Sequence, residues 1–367
     1  MKIVADNTVP YLKGIAEPIA DVKYLNSNEF SPSTIHDADA LIVRSIDKCT
    51  RELLEGSRVK LITTATIGFD HIDIKYCDEA GITWKNAPGC NAVSVAQYVL
   101  SSLIVIGLRR NEPLQGKTIG IIGVGHVGKE LEKLCTAYGM RILRNDPPRA
   151  EAEGETGFVS LKTIAEEADI ISFHTPLTKE GPYATRHLAD EDFFNKTCKK
   201  PWFVNASRGA VHDTMALIEA LKSGKISEAV IDCWENEPAI DRELLSLAAI
   251  ATPHIAGFSA DGKANGTRTC LENIERFFGL HIEKLNEVVP PAPVDPVIDL
   301  AEVTEHRIEH AIFRSFDPLV VDKALRDTPE RFEWFRANYS HPREFAAYKV
   351  KNTTDKERMF LNKLGFR

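Results

Sequence analysis

Short runs of β-branched and aliphatic residues alternate with stretches whose apolar residues recur at helical spacing, from the first residues to about residue 280. In the first part, "KIVAD" (2–6), "ALIVRS" (40–45), "KLITTAT" (60–66) and "GITWKNA" (81–87) predict strands. Helix-like or loop segments separate them, so they predict a parallel α/β sheet. The run "AVSVAQYVLSSLIVIGL" (92–108), between Asn91 and Arg109-Arg110, falls short of the roughly 20 residues that span a bilayer. It predicts a buried helix. Beyond it the alternation restarts more strongly, with "KTIGIIG" (117–123), "RILRND" (141–146), "DIISFHT" (169–175), "PWFVNAS" (201–207), "EAVIDCW" (228–234) and "AIATPHI" (249–255). Such a set of strands with crossover helices is the content of a doubly wound dinucleotide fold. A further helix is expected from Phe258 to about Leu280, where "GTRTCLENIERFFGL" has helical periodicity. The proline-rich "NEVVPPAPVDPVID" (286–299) predicts a linker to a small, charged and aromatic C-terminal unit.

At 367 residues and 43% hydrophobic, the chain has material for two or three cores. Its 45 Lys and Arg stand against 53 Asp and Glu, a net charge of −8. That balance argues against nucleic acid or an anionic membrane as partner, and an anionic substrate would need positive charge gathered locally. The seven cysteines are scattered and form no C-x-x-C. They predict reduced thiols in a cytoplasmic chain, with neither a disulfide framework nor a metal site. "MKIVADNTVP" carries no signal-peptide apolar region.

Gly123, Gly125 and Gly128 form G-x-G-x-x-G between a strand and a helix. There the first glycine permits a tight turn and the second lets backbone approach a pyrophosphate. The third allows close helix–strand packing, and the helix N-terminus faces the phosphate charge. The next strand ends in Asp146, whose carboxylate can accept ribose hydroxyls and would repel a 2′-phosphate. NAD is therefore expected as cofactor, although nearby Arg149 leaves NADP open.

Three more strand ends carry polar residues. Arg208 follows 201–207, Glu237 lies in "DCWENEP", and His254 closes "ATPHI". Ligands of open α/β sheets bind outside the carboxyl ends of strands. A guanidinium can clamp a carboxylate through paired hydrogen bonds. A histidine can exchange the proton of a hydroxyl as hydride leaves its carbon, and a glutamate on the other ring nitrogen would fix its tautomer. Taken singly, each residue also fits a structural role.

The series G-x-G-x-x-G, Asp146, "HTPL", "NASRGAVHD", "DCWENEP" and "TPHIAG" resembles the D-isomer-specific 2-hydroxyacid dehydrogenases. The resemblance implies two doubly wound parallel-sheet domains: a split substrate domain, 1–92 plus 258–285, around a Rossmann NAD domain, 93–257. It implies catalytic roles for Arg208, Glu237 and His254, and cofactor contacts at His126, Val127, Asp146, Thr175, Ala206, Ser207, Arg208, Asp232 and Gly257. "ADALIVRS", "TATIGFDHID", "NAPGCNAVSVAQYV" and "NYSHPREF" resemble a branch that oxidises a four-carbon hydroxy-acid phosphate in vitamin B6 biosynthesis. That branch uses a small C-terminal α+β domain, here 286–367, to form a homodimer. By this resemblance Ser45, Thr66 and Phe258 belong to the substrate pocket, with Phe258 standing where the branch often has tyrosine. Arg44 is a candidate for the substrate phosphate, a surface role at a strand end being the alternative. The same chemistry on 3-phosphoglycerate or glycerate, and a nucleotide-sensing scaffold that has no turnover, remain as competing readings.

Overall fold

The structure, a computed structural model, describes all residues from Met1 to Arg367. The chain divides into two compact units, Met1–Asn91 with Ser259–Ala292, and Ala92–Phe258 with Pro293–Arg367.

The first unit is built on a parallel sheet of β1 (Lys2–Asp6), β2 (Asp21–Leu25), β3 (Ala40–Val43), β4 (Leu61–Thr64) and β5 (Thr83–Lys85), in the order β2-β1-β3-β4-β5. The inner strands β3 and β4 are buried along their length because both faces are covered, which explains their unbroken apolar runs. Ile3, Ala5, Ile42 and Leu61 pack on one face with Ala264, Leu271 and Ile274 of the helix Ala260–Phe278. Val4, Leu41, Val43 and Ile62 pack on the other with Leu53 and Leu54. β2 is the strand the sequence pattern does not announce. It lies at the sheet edge, and only Leu25 of "DVKYL" is buried.

The helix Ala260–Phe278 starts where Ser259 accepts the Gly262 N–H at 2.8 Å. Along its length Gly266 meets the exit of β4. A Cβ there would lie 2.6 Å from the Ala65 carbonyl oxygen, so only glycine permits the approach.

The second unit holds six parallel strands: β6 (Thr118–Ile122), β7 (Arg141–Asn145), β8 (Ile170–Phe173), β9 (Trp202–Asn205), β10 (Glu228–Ile231) and β11 (Ile250–Ala251). Their order, β11-β10-β9-β8-β6-β7, reverses direction between β6 and β8, the place where an open α/β sheet offers a ligand crevice. The helix Ala92–Arg110 is long and apolar enough to cross a membrane, yet it is buried here as a core helix.

Residues 293–367 pack into this unit. Ile298, Phe345, Leu361, Leu364 and Phe366 share one core with Val99, Leu103 and Ile121. The segment is α+β, pairing β12 (Val297–Asp299) with β13 (Lys349–Lys351) among short helices. Its helix Pro318–Asp327 covers the exposed edge of the large sheet. There Asp322 accepts the Ala251 N–H of β11 at 2.7 Å, and Arg326 donates to the Ala248 carbonyl at 2.7 Å.

Candidate active site

The nucleotide motif lies at the switch point. Gly123 turns the chain with φ +87°, and a Cβ there would strike the His174 backbone at 2.7 Å. A Cβ on Gly128 would sit 2.3 Å from the Gly123 carbonyl oxygen, which is the close packing the third glycine permits. Gly125 faces open space instead, leaving the loop free for a phosphate to approach. His126 and Val127 begin the helix His126–Ala137 at this point. Asp146, at the end of β7, accepts the Val124 N–H at 2.8 Å and the Arg149 N–H at 3.2 Å. The Arg149 guanidinium is committed to Glu153 and to the Val124 carbonyl, at 2.7 and 2.6 Å, so the argument for NADP from that residue weakens. Across the switch point, Thr175 Oγ1 is buried without a protein partner. An open glycine loop, a carboxylate at the strand end and an orphaned hydroxyl together fit a bound dinucleotide.

Around β9 the turn is built by Asn205, a residue not singled out by the sequence reading. Its Oδ1 accepts the Ser207 N–H at 3.0 Å and hydroxyl at 2.8 Å, while its Nδ2 donates to the Arg208 carbonyl at 2.9 Å. The Ser207 hydroxyl proton is thereby used within the turn. Asn205 Nδ2 also lies 2.8 Å from Nδ1 of fully buried His212, whose imidazole burial pushes down to about 4. Gly209 follows Arg208 for a steric reason: a Cβ there would lie 1.9 Å from the Trp234 carbonyl oxygen. The turn bearing Arg208 thus rests directly on the loop bearing Glu237.

Glu237 and His254 meet. His254 Nδ1 lies 2.8 Å from Glu237 Oε2, and Glu237 Oε1 accepts the Trp234 N–H at 2.7 Å. Burial alone would raise the Glu237 carboxyl. The hydrogen bond and charge of His254, the Trp234 N–H and the Arg336 charge outweigh it and hold the group below its ordinary value. A carboxylate on Nδ1 keeps the proton there and leaves Nε2 as the acceptor.

Asp232, expected at the cofactor, is 1% exposed and clasps the turn that carries His254. Its carboxylate accepts Thr252 Oγ1 at 2.6 Å and the N–H groups of Ile255 and Ala256 at 2.8 and 3.0 Å. The Tyr98 hydroxyl adjoins Thr252 Oγ1 at 2.6 Å, extending the chain of polar groups into the helix Ala92–Arg110. His254 itself adopts φ +56°, a conformation costly for a non-glycine residue, and its N–H donates to the Asp232 carbonyl at 2.8 Å. Gly257 and Phe258 follow directly. The Phe258 ring stacks on His341 at 5.9 Å, with the Arg336 guanidinium 5.9 Å from its centroid. No sequence signal pointed to Arg336, because its neighbourhood arises from the packing of the C-terminal segment.

In the first unit, Arg44, Ser45 and Thr66 leave the carboxyl ends of the adjacent strands β3 and β4. Ser45 is exposed, while Arg44 and Thr66 are half-buried. Thr66 Oγ1 lies 2.8 Å from Thr64 Oγ1, which His71 Nε2 meets at 3.1 Å.

A Rossmann switch point with an acidic strand end, beside a carboxylate–histidine pair and an arginine, defines a nicotinamide-dependent hydroxyacid dehydrogenase. Residues 107–256 match the family model described as D-isomer specific 2-hydroxyacid dehydrogenase, NAD binding domain. Among solved structures, D-lactate dehydrogenase from Aquifex aeolicus, complexed with NAD and lactic acid, aligns with TM-score 0.62 and 27% identity. It covers 79% of this chain and 100% of that one. The chain is 56% identical over 367 residues, the whole of both chains, to erythronate-4-phosphate dehydrogenase of Porphyromonas gingivalis. It is 52% identical over 351 residues, 95% of this chain and 99% of the relative, to that of Bacteroides thetaiotaomicron. The chain belongs to the erythronate-4-phosphate dehydrogenase family, within the D-isomer specific 2-hydroxyacid dehydrogenases.

Proposed function

We propose that the protein oxidises 4-phospho-D-erythronate to (R)-3-hydroxy-2-oxo-4-phosphobutanoate with NAD, a step of pyridoxal 5′-phosphate biosynthesis, in the cytoplasm. The observation that carries the mechanism is the 2.8 Å contact of His254 Nδ1 with Glu237, itself held by the Trp234 N–H. Full-length identity to relatives named for this substrate supports its choice.

NAD, when bound, supplies the hydride acceptor. The glycine loop, His126, Val127, Asp146, Thr175 and the backbone of Ala206 to Arg208 would hold it, with Gly257 beside them. In this reading Asp232 serves the cofactor indirectly, by fixing the 252–256 turn. Arg208 clamps the substrate C1 carboxylate and orients C2. As C2 gives up its hydride, His254 Nε2 takes the C2 hydroxyl proton, and Glu237 stabilises the imidazolium that forms. A carbonyl replaces the C–O single bond, and reduction runs the same transfers backward. Ser45 and Thr66 are assigned to the substrate hydroxyls, and Phe258 shapes the pocket without donating a hydrogen bond.

The deciding assay compares 4-phosphoerythronate with 3-phosphoglycerate and glycerate, with NAD and a 2-oxo acid present to recycle cofactor. Preference for 3-phosphoglycerate would overturn the substrate assignment, and NADH binding without any turnover would favour a sensing scaffold. We also assign a homodimer to the C-terminal segment. Sedimentation of the full chain tests it, since deletion would strip Phe345 and Leu361 from the core of the second unit.

A further inference from the structure

We infer that Arg44 and Lys263, both in the first unit, form the subsite for the substrate's phosphate, two cations converging on one dianion. This rests on the proposed function in taking the substrate to be a phosphorylated hydroxy acid.

The strand register brings the two residues together. Val43 of β3 pairs with Thr64 of β4, and the Ala65 N–H donates to the Val43 carbonyl at 3.0 Å. Arg44 therefore leaves the sheet beside Ala65. Gly266 presses against that same Ala65, close enough that a Cβ would lie 2.6 Å from its carbonyl oxygen. Lys263 precedes Gly266 by three residues on the helix Ala260–Phe278, so it shares the face turned to the β4 exit, one turn nearer the N-terminus. Arg44, Thr66 and Lys263 are thus gathered at the carboxyl end of β3 and β4.

Arg44 is also held in position. Its N–H donates to Asp47 at 2.8 Å, and its Nη1 donates to the Thr8 hydroxyl at 2.7 Å. Thr8 in turn donates to Asp6 through its hydroxyl and its N–H. The guanidinium is therefore aimed through a neutral hydroxyl and makes no direct bond to the Asp6 carboxylate. Burial first, and the Arg44 charge second, push the Lys263 ammonium down to about 8. Two cations crowded in this way are relieved by an anion bound between them. In a chain of net charge −8, cations gathered at one place are what a phosphate requires.

The experiment uses the full-length enzyme and the variants Lys263→Met, Lys263→Arg and Arg44→Met. Each is assayed on 4-phosphoerythronate and on erythronate, with inorganic phosphate binding followed by calorimetry. Losing one charge-assisted contact should lower the preference for the phosphorylated acid by about 10- to 100-fold, through KM, in Lys263→Met and Arg44→Met. Lys263→Arg should recover most of it, and phosphate binding should weaken in parallel. Equal losses on both acids, or an unchanged preference, overturn the subsite. If the wild type ignores 4-phosphoerythronate, the substrate assignment fails, and phosphate binding alone then judges the subsite. Binding that is absent from the wild type, or undiminished in both Met variants, overturns it.

Discussion

Gly209→Ala probes the placement of the proposed catalytic groups through a single methyl. The new Cβ would lie 1.9 Å from the Trp234 carbonyl oxygen and 2.0 Å from its carbon, where real Cβ contacts stay beyond 3.0 Å. One of the two segments must therefore move by about 1 Å. The Trp234 side is poorly able to yield. Its indole N–H donates to the Thr252 carbonyl at 2.9 Å, and the Glu235 carboxylate holds the Thr214 N–H at 2.9 Å and His187 at 2.7 Å. The displacement then falls on the turn carrying Arg208, or breaks the Trp234 N–H bond that orients Glu237. A misplacement of about 1 Å in a positioning group costs roughly 100-fold in rate, or about 2.7 kcal/mol of transition-state stabilisation. We expect kcat/KM for 4-phosphoerythronate to fall by about that factor in protein that still melts cooperatively and binds NADH in a fluorescence titration. A folded Gly209→Ala enzyme within threefold of wild-type kcat/KM would refute the claim that this contact sets the geometry.

Arg208→Ala should lower kcat/KM by about 1,000-fold or more, because clamp and charge stabilisation go together, while NADH affinity stays within about threefold. Equal losses in both would place the arginine at the cofactor instead. Burial, and then the adjacent Asp6, push the Asp47 carboxyl up to about 6. A folded value above the unfolded one means a contribution that is complete below about pH 4 and lost as pH rises through 6, about 3 kcal/mol at most. Asp47→Asn removes that loss, so its stability advantage over wild type in urea melts should grow between pH 4 and 6 and then level off. An advantage independent of pH would count against the buried acid pair. Arg336→Met takes a cation from Glu237, whose carboxyl should then titrate higher by less than about one pH unit. The midpoint of the Glu237 carboxyl resonance in an NMR pH titration should move upward, and an unmoved midpoint would detach Arg336 from the site.

The strands that build both sheets were legible where burial makes them apolar throughout. β3, β4, β8 and β9 are buried at every position, and their runs stand out from the helices between them. β2 was not legible, because an edge strand with one buried residue carries almost no periodic signal. For the C-terminal segment, the docking was what the sequence did not reveal. Its proline-rich approach reads as a linker to a separate body, yet Ile298 and Phe345 complete the core of the second unit. Local composition marks where a chain loses regular structure, but not where the next segment docks.

At the site, the sequence yields residues whose chemistry has few structural uses at a strand exit, which is why Arg208, Glu237 and His254 stand out as candidates. The residues that hold them were hidden, for the same physical reason. Asn205 and Asp232 act through short contacts with backbone N–H groups and with Thr252, and in sequence such residues look like ordinary turn formers. Asp232 sharpens the point. Family resemblance assigns it to the cofactor, and three of its hydrogen bonds bind the turn on which His254 sits at φ +56°. A left-handed histidine persists only where its surroundings over-determine it. Here the buried carboxylate, Thr252 and Tyr98 supply that constraint. His254, the base we propose, is therefore placed by a polar network reaching back into the core helix Ala92–Arg110.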